Sequence, residues 1–142
     1  MSSAADLILA GPDDAPRILA SEYPLGTFKG VSVDGLSPLE LAALYSLLVH
    51  KAFDEALREC QPLGQASPQG PWLVRLPAEL VESLLHISPQ DQASMAARWA
   101  STDPTKSAGW TDEQADSFLG RLVPFAQSAA FEGKALFLWI YD

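Results

Sequence analysis

One cysteine, two histidines and half as many basic as acidic residues make this 142-residue chain notable first for what it has little of. A single cysteine, Cys60, excludes an internal disulfide and suits a reducing compartment. With only two histidines beside it, no zinc site built from four cysteines, or from a pair of cysteines and a pair of histidines, can be assembled, and no HExxH occurs. Neither GxxxxGK[ST] nor GxGxxG is present, so phosphate-loop and dinucleotide chemistry lack their usual signatures. Nine Lys and Arg against eighteen Asp and Glu give a formal charge of −9, which repels phosphate backbones and anionic lipid heads alike. Nucleic acid and membrane surfaces are therefore poor partners. No uncharged apolar run approaches the ~20 residues that span a bilayer, and the first basic residue is Arg17, unlike a secretory leader. A cytoplasmic location is expected.

Apolar residues make up 48% of the chain and charged ones 19%, a balance that supports a buried core rather than disorder. Acidic and basic residues are spread over both halves, with no acidic tail. The pattern predicts a mainly α, single compact domain of about five helices, with room for two short strands near residues 28–33 and 135–140. Residues 1–20 are expected to be poorly ordered, since proline and glycine recur through the first 36 positions, and residues 21–142 to form the helical domain.

Helix starts carry the firmest signals. Ser37-Pro38-Leu39-Glu40 and Ser88-Pro89-Gln90-Asp91 each place a capping hydroxyl before a proline, and Thr111 to Gln114 has the form of a capping box. Leu41, Leu44, Tyr45 and Leu48 form a stripe on the first of these helices. Leu39, Leu47 and Val49 spread apolar surface round the rest of it, as in an element buried on several sides. The segment HKAFDEALREC can continue that helix or begin another. Gln61 to Pro71 reads as a loop, Trp72 to Leu76 as extended chain, and Ala78 onward as a helix whose glutamates favour the positive end of its dipole. Residues 101–109 read as a polar loop. From Thr111 the spacing of Ala115, Phe118, Leu119, Leu122, Ala126 and Ala129 predicts a long amphipathic helix stopped by Gly133, with a kink at Pro124, then the apolar run ALFLWIY.

No catalytic constellation emerges. On one helix, His50 and Cys60 would be turned about 1000° apart and could not pair. The carboxylate pairs Asp112/Asp116 and Glu79/Glu82 lie in first helical turns, where dipole capping accounts for them. Four tryptophans remain. Core anchoring suits them, but Trp72, after Gly-Pro, and Trp110, between a glycine and a cap, are candidates for an exposed recognition surface together with Asp112 and Asp116. The runs PWLVRLP, MAARWA and GKALFLWIYD resemble a type of small bacterial protein over about residues 25–142; the resemblance implies no activity and assigns no residue a role.

The expectation is a non-enzymatic, acidic cytosolic protein that acts by binding another, basic protein, with no cofactor and no metal; an inhibitor or immunity-type protein is one version. Two alternatives stand beside it: a small-molecule binder or enzyme with a pocket between the central and last helices using Tyr45, His50 or Cys60, and a structural protein that forms homo-oligomers.

Overall fold

The first apolar run, Leu7-Ile8-Leu9-Ala10, is too short for a helix and shows no alternation, and the computed structural model, which describes residues 4–141, makes it part of a central strand. In chain order the elements are β1 (Ala4–Ala10), α1 (Ala15–Leu19), a 3-10 turn (Pro24–Gly26), β2 (Lys29–Ser32), α2 (Pro38–Val49), α3 (Phe53–Glu59), β3 (Gly64–Gln65), β4 (Trp72–Arg75), α4 (Ala78–Leu84), α5 (Pro89–Ala100), α6 (Asp103–Ser107), α7 (Asp112–Glu132) and β5 (Ala135–Tyr141). The strands form one antiparallel sheet in the order β2-β1-β5-β4-β3. Its two long strands join the first and last described segments, with Ala4 opposite Tyr141 and Ala10 opposite Ala135.

This architecture corrects the mainly α, all-helical expectation: the described residues hold an α+β fold with seven helices on a five-stranded sheet, rather than about five helices with two short strands. The reason is burial on both sides. Ala5, Leu7 and Leu9 of β1 face the main core with α2, α4, α5 and α7, while Ile8 and Ala10 face a smaller cluster closed by Ile18, Leu19, Leu25 and Phe28. A strand covered on both faces carries apolar residues on each, so apart from Asp6 β1 shows no period-two signal. Of the segment expected to be poorly ordered, residues 1–3 lie outside the described residues, and the rest holds β1 and α1. The two anticipated strand segments are β2 and β5, but β1 lies between them.

Local chemistry accounts for the helix boundaries. Ser88 Oγ accepts from the Asp91 N–H at 3.2 Å, and at α7 the Thr111 hydroxyl and the Gln114 side chain satisfy each other's backbone N–H groups at 3.2 and 2.9 Å. Ser37 instead donates to the Glu40 carboxylate at 2.6 Å. HKAFDEALREC starts a separate helix, because His50 closes α2 in the left-handed region at φ 55°. Asp103-Pro104 opens the short α6 inside the stretch that reads as a polar loop. α7 runs as one helix through Pro124, which lies on its exposed side, and Gly133 ends it at φ 67°. Among the described residues, no helix is long and apolar enough to cross a membrane.

Candidate functional site

Of the four predicted surface residues, three gather at the start of α7. The Trp110 ring is half-buried, stacked on Phe118 with centroids 4.6 Å apart and meeting Trp99 edge-on at 4.9 Å. Trp99 is wholly buried and donates its indole N–H to the Glu40 carbonyl at 2.8 Å, so Trp110 closes the core above it. Asp112 is exposed in the first turn; Asp116 accepts from Gln92 Nε2 at 3.1 Å, which ties α5 to α7. Trp72 is on β4, its six-membered ring lying over Gly70 so closely that a Cβ there would sit 2.6 Å from the ring. Gly70 also has φ 91°, a second reason for glycine. Trp72 and Trp110 therefore serve two separate local packings.

A polar cluster that sequence reasoning missed joins α2, α3 and α4. The left-handed turn at His50 sends Lys51 back over the Tyr45 ring, 4.6 Å from its centroid. Lys51 Nζ donates to Tyr45 Oη at 2.9 Å and to the Glu59 carboxylate, and lies 3.4 Å from Glu79. Tyr45 Oη is 3.1 Å from both Glu59 and Glu79, and its single proton serves one of them at a time. The Glu59 carboxylate holds the Lys51 ammonium above its ordinary range, and Lys51 in turn holds Glu59 below its own. Burial pushes the Tyr45 phenol up. Through these contacts the cluster ties α2, α3 and α4 together.

The other chemistry-bearing groups are similarly committed. Burial pushes the Cys60 thiol up to about 12, which leaves almost no thiolate to act as a nucleophile. His50 and His86 are exposed. Between the central and last helices, α4 and α5 each pack against both α2 and α7, with Trp99 anchored to α2. Among the described residues, no three His, Cys, Asp or Glu side chains are grouped as metal ligands would be. Among the described residues, the carboxyl groups of Asp6 and Glu40 are buried. Burial raises Asp6, which is hydrogen-bonded by Tyr141, and raises Glu40 against the opposing bond from Ser37.

The outer side of α2 offers more. Leu39, Ala43 and Leu47 recur every fourth residue along α2 and form one wall of a groove of about 560 Å³, with Leu39 exposed, Leu47 partly buried and Ala43 at its floor in the main core. Phe53 at the start of α3 and Pro104 of α6 form the opposite rim, with Ser46, Thr102, Asp103 and Ser107 as its polar edge. α6 is held in place by Thr102 and Thr105, whose hydroxyls both donate to the Trp99 carbonyl, at 2.7 and 2.6 Å. Leu39 is 50% exposed. Asp103 lines the groove, and Asp54 and Glu55 follow its rim residue Phe53 in the first turn of α3, exposed at the surface. The apolar excess around α2 was visible in the sequence; Leu47 and Val49 are partly buried against the core, and Leu39 stands at the surface.

Comparisons with protein-family profiles, with curated proteins and with solved structures return no match.

Proposed function

We propose that the chain is a non-enzymatic binding protein whose groove between α2, α3 and α6 receives an apolar segment of another, basic protein. The observation that carries this reading is the groove itself: an open apolar trough in which Leu39 stands half-exposed, flanked by Asp54, Glu55 and Asp103 on a chain of formal charge −9. Such a trough supplies the apolar centre of an interface, and the surrounding acid steers a basic partner toward it. Burial of the Cys60 thiol, pushed up to about 12, favours binding over nucleophilic chemistry at that residue. A reducing, cytoplasmic setting belongs to the same proposal.

The test compares the protein with its Leu39→Glu variant as bait in extract of its native cells, at low and moderate salt. Leu39 is at the surface, so circular dichroism is expected to be unchanged by the substitution. A stoichiometric basic protein retained by the native bait, weakened by salt and lost with Leu39→Glu is the expected result. Retention of the same proteins by both baits, or of none at either salt, overturns the proposal.

A further inference from the structure

The short helix α3 is anchored at few points. Within Phe53–Glu59 only Ala56 is fully buried, Phe53 and Leu57 are partly so, and Cys60 is buried just beyond its end. No side chain caps its N-terminus, which starts after the left-handed turn at His50 and packs chiefly on α2. Firm attachments lie on either side of it. Before it, Ser46 Oγ donates to the Lys51 carbonyl; after it, the Leu63 N–H donates to the Leu73 carbonyl of β4 at 2.9 Å. The stretch from Ala52 to Pro62 is strung between these two pins. Few buried side chains and an uncapped end are the features of a segment that opens at a lower free energy than the whole domain.

We infer that α3 is a flap that opens as a unit about Ala52 and is latched shut by Lys51. Lys51 precedes the hinge and stays with α2, where its ammonium donates to Tyr45 Oη at 2.9 Å. The same ammonium donates to Glu59, in the last turn of α3, so the latch reaches across the whole helix, about 10 Å long. Tyr45 Oη, 3.1 Å from Glu59, backs the pair from α2. Water and ions have access to it: the side chains of Lys51 and Glu59 are 19% and 43% exposed. An ion pair so placed is weak enough to release, whereas a buried one would fix the helix. Opening lifts Ala56, Leu57 and Cys60 off the core and leaves the Trp99 anchor between α5 and α2 in place. Phe53, the first residue of α3, is also a rim of the groove, so opening shifts that rim. That consequence rests on the groove reading; the flap itself does not.

Cys60 reports the motion, because it is the one thiol of the chain and is buried while α3 is closed. The experiment follows its labelling in the full chain by excess aromatic disulfide reagent, at urea concentrations well below the unfolding midpoint and with no partner present. Slow labelling is expected, with a urea dependence less than about half the global unfolding slope, since that slope follows the surface exposed and α3 contributes a small part of it. Glu59→Gln and Lys51→Met should each speed labelling about two- to fivefold, and the double variant no more than either alone. Trp99→Phe, which lowers global stability and leaves the latch groups in place, should not change the rate. Labelling with the full global slope, acceleration by Trp99→Phe that matches its loss of global stability, or indifference to both latch variants overturns the inference. Capture of a partner by the groove is a separate measurement, so either conclusion can fail alone.

Discussion

Replacing Trp99 by Phe tests the packing on which the proposed groove rests, because this indole links α5 to α2 and supports the carbonyl that holds α6. The substitution removes the N–H donated to the Glu40 carbonyl. Within α2 that carbonyl can still accept from the Leu44 N–H, so it is not orphaned, and the loss is about 0.5–1.5 kcal/mol. Contracting indole to phenyl in a wholly buried site leaves roughly 40 Å³, which at about 24 cal/mol per Å³ costs about 1 kcal/mol. The edge contact with Trp110 at 4.9 Å weakens as well, by a further fraction of the roughly 0.5–1.5 kcal/mol such pairs contribute. The sum is about 2–4 kcal/mol, a large share of the roughly 5–15 kcal/mol that holds a domain folded. With a urea slope of about 2 kcal/mol/M the midpoint should fall by about 1–2 M with the slope unchanged. Far-UV circular dichroism is the suitable probe, since three other tryptophans confuse fluorescence. In a double-mutant cycle with Trp110→Leu, the two losses should be non-additive. A loss below about 1 kcal/mol, or strict additivity with Trp110→Leu, would mean that the aromatic cluster does not hold the two helices as argued.

Three further outcomes follow from single residues. Because burial raises the Glu40 carboxyl above its usual 4.5, the folded protein binds that proton more tightly than the unfolded chain; the associated stability is present at low pH and lost as pH rises through the folded value. Glu40→Gln, which can still accept from Ser37, should therefore gain on the native protein between about pH 4 and about pH 7 in urea titrations; a pH-independent difference would refute this. His50→Gly relieves the left-handed conformation at φ 55° and should raise the thermal midpoint by about 1–4 °C, while a fall would show that the imidazole has a stabilising contact of its own. Cys60 should resist an aromatic disulfide reagent in the native protein and react fully in denaturant, since its thiol is buried and pushed up to about 12; rapid native labelling would contradict that burial.

How much could be read in advance depended on whether a feature is local. Caps are local, and so the starts of α5 and α7 were legible from Ser88 and from Thr111 with Gln114. The stop at Gly133 was legible for the same reason. β1 was not, because Leu7, Ile8 and Leu9 alternate between two cores that are both apolar, and only the folded sheet distinguishes them. β5 shares this property but carries Phe137, Trp139 and Tyr141, whose bulk marks a strand on composition alone. The end of α2 was hidden by an apolar pattern that continues across His50 into Phe53, Ala56 and Leu57. The cluster of Tyr45, Lys51, Glu59 and Glu79 spans 34 positions, and no spacing rule predicts that three helices meet there. Leu39 and Leu47 were visible as apolar excess, but whether such excess is buried twice or left open depends on where α6 comes to rest.

The formal charge of −9 bears directly on how the groove would meet its partner. At the groove the acid on Asp54, Glu55 and Asp103 attracts a basic partner, and because those groups are at the surface their pull is screened beyond about 8 Å at physiological ionic strength. Added salt therefore weakens that complex.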